Sequence, residues 1–246
     1  MAKRSGLGME FYLGGYDLSG DVAALDNISG PRSTFDVHGI NRSAVERVLG
    51  RADAEIDFSV FFNDAAGQEH LALRSLPTTD RVVLANISST LGDPSVFMNA
   101  KQINYDWNRG ADGSLMGTVQ CSGNNAPLEW GTLLLPAATI SSAGNSASEN
   151  NGGASSYGLS AVIHCTAFSG SNYTATIQQS SDDGSSDAFA TLKAFTQITA
   201  VNASERVTVT GAVEQYLRVN HAGSFSSVDV VIATRRGVAN DVELTA

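Results

Sequence analysis

From Glu55 the chain reads EIDFSVF, and this alternation leaves little conformational choice. In an extended strand Ile56, Phe58 and Val60 point to one side and Glu55, Asp57 and Ser59 to the other. The segment must therefore lay an apolar face on a core and hold an acidic face away from it. The residues just before it carry a different signal. Ser43 followed by Glu46 has the spacing of a capping box, Val45, Val48 and Leu49 fall on one face of a helix, and Gly50 can end it. A short flanking helix leading into a half-buried strand is the local expectation.

Period-two patterns recur along the chain. Strand-like runs occur at 11–13, 81–87, 102–107 and 115–121. The last two are predicted to form a hairpin: Ile103, Tyr105 and Trp107 alternate, NRGADGS supplies turn residues, and Leu115, Val119 and Cys121 resume the period. Between Asn63 and Asp80 lies a long connection with a helical turn expected around His70 to Leu76. Its Leu71, Leu73 and Leu76, apolar residues in a polar loop, are candidates for contacts between subunits. The stretch from Pro136 to Tyr157 is nearly uncharged and built of small residues, which predicts a linker at 137–156 between units at 1–136 and 157–246. Beyond it SAVIHCTAF, YTATIQQ, FATLKAF, ERVTVT, QYLRVNHA and SVDVVIAT read as separate short strands of an antiparallel sandwich. The fold class is all-β, with one short flanking helix.

Several chemistries are disfavoured. With a formal net charge of -10, the surface is not built to neutralise phosphates. The lysines are Lys3, Lys101 and Lys193, none following a glycine, so a Walker loop is excluded, and no Gly-x-Ser-x-Gly elbow is present. The histidines at 38, 70, 164 and 221 lack metal-ligand spacing, and His164 reads as a structural or surface residue of a strand. Cys121 and Cys165 read as small buried hydrophobes. Asp182, Asp183 and Asp187 could in principle supply oxygens to calcium, but Asp-Gly between two strands reads first as a hairpin turn. No enzyme, cofactor or metal is expected. No segment has the length of a membrane span or of a signal-peptide core, which predicts assembly in the cytoplasm without membrane insertion.

GRADAEIDFSVFFN, HLALRSLPTTDRVVL, AKQINYDWNRGADGSL and LEWG at Leu128 to Gly131, in that order, resemble the major tail (tail tube) proteins of long-tailed bacteriophages infecting actinobacteria. The likeness spans about the first 135 residues, with a looser one beyond. It implies a β-sandwich or barrel that assembles as hexameric rings stacked into a tube, located in the virion tail, through which DNA passes without specific binding. The partners it implies are other copies of the chain, a tape measure protein, a tail terminator and a distal tail protein. It also gives the acidic strand face a meaning: Glu55, Asp57 and Ser59, with Gln102, Asn104 and Asp106, become candidates for the channel lining, where negative charge repels phosphate.

Two other classes fit the same composition. A virion-surface or secreted glycan-binding module would use the C-terminal sandwich, with Tyr157, Tyr173 and Tyr216 available to stack on sugar rings. A capsid decoration or head-tail connector protein would share the acidity and β content.

Overall fold

The computed structural model describes residues 3–239. The first part holds β1 (Glu10–Leu13), β2 (Tyr16–Asp17), β3 (Val22–Ser29), β4 (Arg32–Asp36), β5 (Arg47–Ala52), β6 (Glu55–Phe61), helix α1 (Glu69–Leu73), β7 (Arg81–Asn86), β8 (Pro94–Gln102), β9 (Asp106–Arg109) and β10 (Leu115–Gly123). The second holds β11 (Glu129–Ile140), β12 (Gly144–Asn145), β13 (Glu149–Asn150), β14 (Leu159–Ser180), β15 (Ala190–Ala194), β16 (Ala203–Val209) and β17 (Tyr216–Arg236). The protein is all-β, as expected. Among the described residues fifteen strand pairings, all antiparallel, join these strands into one sheet whose main path runs β15-β14-β17-β11-β8-β10-β6-β3 and a separate ribbon β4-β5.

Strand β11 joins the two parts. Its residues Glu129 to Thr132 pair with β8, and Thr132 to Ile140 pair with β17. Strand pairing therefore runs from one half to the other through β11, with bulges between Leu133 and Leu135 and between Leu135 and Ala138. The small-residue stretch that reads as a tether is also paired: β12 and β13 both lie on β17, opposite Asn220 to His221 and Tyr216 to Leu217. Arg236 fastens its far end, its guanidinium donating to the carbonyls of Gly153, Val213 and Glu214. Absence of charge marks small residues that fit against a neighbouring strand, not a free linker.

Three apolar clusters explain the layering. Ile56, Phe58 and Val60 pack with Phe11, Leu13, Val83 and Met98 in the first part. Ile163, Tyr173, Ile177, Val219 and Ile232 form the core of the second. Between them lie Tyr12, Val82, Leu84, Phe97, Leu133, Val162, Val231 and Ala233. β7 thus faces two cores, Val83 and Ala85 one way and Val82 and Leu84 the other, which is why RVVLAN lacks alternation and is buried throughout.

Two expectations about strand length and one about helix position are corrected. SAVIHCTAF and YTATIQQ are parts of one 22-residue strand, β14, and QYLRVNHA and SVDVVIAT parts of the 21-residue β17. The small polar residues between them sit at bulges near Cys165, Ser169 and Gly170, which bend the long hairpin without ending it. The helix expected at 43–50 is absent: residues 47–52 are strand β5, paired with β4 through Phe35 opposite Val48 and Thr34 opposite Leu49. One capped turn is too short to offset helix nucleation, and the ladder wins. Gly50 does not cap anything. A Cβ there would stand 2.6 Å from the Phe35 ring, so the glycine makes room for that ring across the ribbon. The helical turn expected near His70 is α1.

Candidate assembly surfaces

Register decides which residues share the acidic face. Across β3-β6-β10 the rows are Ser29, Glu55, Ser122; then Asn27, Asp57, Gln120; then Ala24, Ser59, Thr118, with Asp106 of β9 extending the last row. Glu55, Asp57, Ser59 and Asp106 thus lie on one face, while Ile56, Phe58 and Val60 are fully buried behind it. The carboxylates are held in place. The Asn27 side chain donates to Glu55 Oε2 at 3.2 Å and Asp57 Oδ2 at 3.4 Å, and Gln120 Nε2 donates to Glu55 Oε1 at 2.5 Å. Asn104 Nδ2 donates to Asp106 Oδ2 at 2.6 Å, and Asn104 Oδ1 accepts the Gln120 N–H at 2.7 Å. Asp57 Oδ1 is buried without a hydrogen-bond partner. Desolvation raises the Asp57 carboxyl above its usual range, opposed by the Asn27 hydrogen bond and reinforced by Glu55.

Gln102 is a correction. It pairs with Cys121, which pairs with Ile56, so its side chain belongs to the apolar face. There it accepts from Arg81 Nη1 at 2.8 Å and donates to the Leu73 carbonyl at 2.8 Å, anchoring α1. The chain leaves the ladder between β8 and β9, and the count of two is lost across 103–105.

The loop 63–80 is likewise stitched inward. Leu73 is fully buried in the first core, and Leu71 is half-buried, leaving Leu76 as the exposed leucine of the three. Glu69, also buried, accepts from Tyr105 Oη at 2.7 Å and from the Asn63 N–H at 3.1 Å, while Asp21 accepts from the Glu69 N–H. Burial raises the Glu69 carboxyl despite these donors.

The more prominent apolar surface lies on the ribbon, not on the loop 63–80. The ribbon β4-β5 and its tip leave Phe35, Val37, Ile40, Val45, Val48 and Leu49 in the open, Ile40 completely so. It is the direct continuation of β3 and β6. At the other end of β6, roughly 20 Å away at the rise of an extended strand, Phe61, Phe62 and Leu115 are exposed. Phe62 packs on Trp107 and His70 with ring centroids at 4.9 and 5.0 Å, and Trp107 packs edge-on to Tyr105 at 5.1 Å. The signal was present in the run of apolar residues at 35–49, but it was absorbed by the helix reading.

The junction of the halves is polar as well as apolar. Glu129 of the LEWG string, fully buried, accepts from Ser160 Oγ at 2.5 Å and Arg206 Nε at 2.6 Å, with Arg235 Nη1 at 3.5 Å. His164, also fully buried, accepts the Gly15 N–H at Nδ1, 3.2 Å away. Gly15 has φ +89°, and a Cβ there would meet the Asn202 backbone at 2.3 Å, so the turn between β1 and β2 docks on the second half only as glycine. Burial, with the nearby Arg81 charge, lowers the His164 pKa to about 3.

The residues of the competing readings are placed as follows. Tyr173 is buried with its hydroxyl 2.8 Å from His221 Nδ1, so it offers no stacking face, whereas Tyr157 and Tyr216 lie nearer the surface. Asp182 accepts from the N–H groups of Ser185, Ser186 and Asp187, as a turn residue does, and these donors lower its carboxyl. Asp183 accepts from Ser148 Oγ. Among the described residues no group of three His, Cys, Asp or Glu is arranged to hold a metal ion, and no helix is long and apolar enough to cross a membrane. Cys121 and Cys165 are buried thiols.

These features define a chain of the all-β class built on one continuous antiparallel sheet. No protein-family model matches the sequence, and no curated protein matches it. Among solved structures, the Dit protein (gp 19.1) of phage SPP1, described as a paradigm of hub adsorption apparatus in Gram-positive infecting phages, is similar at 12% identity. It aligns over 93% of this chain and 99% of its own, with a TM-score of 0.31. Two structures of the phage p2 baseplate in its activated conformation, with Sr and with Ca, are similar at 6% identity and a TM-score of 0.33, over 93% and 94% of this chain and 98% and 99% of theirs. At these scores the likeness carries no argument about role.

Proposed function

We propose that the chain is a structural protein of a bacteriophage tail that assembles with copies of itself, as hexameric rings stacked into a tube, in the virion. The observation that carries this reading is the polarity of the β3-β6 unit: an apolar ribbon projects from one end, and an apolar aromatic patch lies at the other. A contact between two different patches on identical subunits is head-to-tail, and it propagates instead of closing on itself as a pair. Between the ends runs the face of Glu55, Asp57, Ser59, Asn104 and Asp106, which in a ring would repeat around a channel and repel a phosphate backbone. Residues from about 157 onward would then lie outside the channel wall. A tape measure protein, a tail terminator and a distal tail protein are the partners that the sequence resemblance implies. No catalytic group is needed for this role.

The test is electron microscopy of the purified full chain across a range of concentrations. Tubes of uniform width with a subunit repeat are expected, with Glu55 and Asp57 on the inner wall. Isolated rings that never stack would favour a connector or hub, and monomers at all concentrations would overturn self-assembly.

A further inference from the structure

A pocket of about 500 Å³ opens between the end of β11 and β12, a volume in the range that small ligands occupy. Leu91, Leu134, Leu135, Pro136 and Ile140 give it apolar walls, and none of the described residues that line it is Asp, Glu, Lys or Arg. The bulges of β11 between Leu133 and Leu135 and between Leu135 and Ala138 bend the strand here, and the small residues 141–147 form the opposite wall.

One ring nitrogen sets this pocket apart. His221 lines it and is 4% exposed, with its Nδ1 2.8 Å from the Tyr173 hydroxyl inside the second core. Its Nε2 has no hydrogen-bond partner among the described residues, yet it is not sealed from solvent as the Nε2 of His164 is. Burial lowers the His221 pKa, so the imidazole is neutral at neutral pH. Other polar groups of the wall are engaged within the chain. Asn145 Oδ1 accepts from Asn220 Nδ2 at 2.8 Å, and Ser146 Oγ accepts the Val219 N–H at 2.9 Å and donates to the Ala147 carbonyl at 2.8 Å. Gly144 stands opposite His221 in the β12-β17 ladder, so a side chain there would point to the same side as the imidazole. A Cβ at Gly144 would meet nothing within 4 Å, and the space beside the ring is open.

These features fix the chemistry of an occupant. A charged group would be desolvated against leucine and isoleucine with no counter-charge in the wall, at a large penalty. An apolar body gains from the same burial. A hydroxyl can donate to a bare Nε2 or accept from an Nε2–H, so it serves whichever tautomer Tyr173 selects.

We propose that this pocket binds a small neutral amphiphile, an apolar chain or ring bearing one hydroxyl, with the hydroxyl on His221 Nε2 and the apolar part against Leu91, Leu134 and Ile140. The site is complete within one chain and does not depend on the assembly reading above.

The experiment titrates the purified full chain, labelled with nitrogen-15, with n-octanol, and in parallel with octanoate and n-octylammonium at fixed ionic strength. The His221 ring-nitrogen signals and the thermal midpoint are followed. A saturable shift of the Nε2 signal and a rising midpoint are expected with n-octanol, and at least tenfold weaker binding with either ion. Gly144→Leu fills the space beside the ring. Gly144 lies outside the left-handed region, so this variant is expected to keep the wild-type midpoint while binding n-octanol at least tenfold more weakly. The comparison of the three ligands on the wild type stands without any variant. Absence of a saturable His221 shift, binding of either ion as tight as that of n-octanol, or undiminished binding by folded Gly144→Leu would overturn the proposal.

Discussion

The ribbon β4-β5 and the layer between the two halves draw on the same residue types and put them to opposite ends. In the layer, Leu84, Phe97, Val162 and Ala233 are wholly buried; the adjoining Glu129 is engaged by Ser160 and Arg206, and His164 accepts the Gly15 N–H at Nδ1 while its Nε2 is buried without a hydrogen-bond partner among the described residues. In the ribbon, Phe35, Ile40 and Leu49 are open, and among the described residues the two strands pair only with each other. A two-stranded ribbon is marginal by itself in water. The contrast separates apolar surface that builds the fold from apolar surface left in the open.

The layer can be broken most severely by truncation. A chain ending at Pro136 would uncover Tyr12, Val82, Leu84, Phe97 and Leu133 and remove Arg206 and Arg235 from Glu129. It is expected to lose the cooperative fold, checked by solubility and by the near-ultraviolet circular dichroism of its aromatic residues. A soluble, folded product with a sharp unfolding transition would show that the halves are independent after all.

Acid probes the same layer more gently. Unfolded, the His164 imidazole takes up a proton near pH 6.5; folded, it does so only near pH 3. Between those values the unfolded state binds the extra proton, so the stability present above pH 6.5 falls as pH drops towards 3. At pH 4 this term is about 3 kcal/mol. Burial-raised carboxyls such as Glu69 and Glu149 act in the opposite sense, so the comparison must be made between proteins. The wild type is expected to lose about 3 kcal/mol more than His164→Gln between pH 7 and pH 4 in urea unfolding. Equal losses would place a charged or solvated imidazole in the layer.

The ribbon gives the smallest expected effect on stability. Replacing Phe35, Ile40 and Leu49 together by Ser should change urea stability by no more than about 0.5 kcal/mol per site, as for exposed surface positions. Its effect on association should be complete: particles that form with the wild type disappear in light scattering and electron microscopy. Retained assembly would assign the ribbon a different role, and a large stability loss would mean that it packs on its own subunit.

How much of this was legible depended on how many neighbours a residue has. Ile56, Phe58 and Val60 face one core, so alternation revealed both faces of β6. The β9-β10 hairpin was equally clear from its turn and flanking periods. Gln102 was assigned to the wrong face because three residues outside the ladder shift the count between β8 and β9. Ser43, Glu46 and Gly50 satisfy local helix rules, but the pairing of Phe35 with Val48 decides, and that partner lies thirteen residues away. The buried partners of His164 and Glu129 were hidden for the same reason. Each is defined by residues from distant segments, and no spacing in the sequence encodes those meetings.

The sharing of β11 has a mechanical consequence. Bending one half against the other would require breaking ladder hydrogen bonds at Thr132 and sliding Leu133 out of a packed layer, so the molecule has no soft axis there. A push on the long β14-β17 hairpin is transmitted to β8, and through it to β10 and β6, as displacement and not absorbed as rotation.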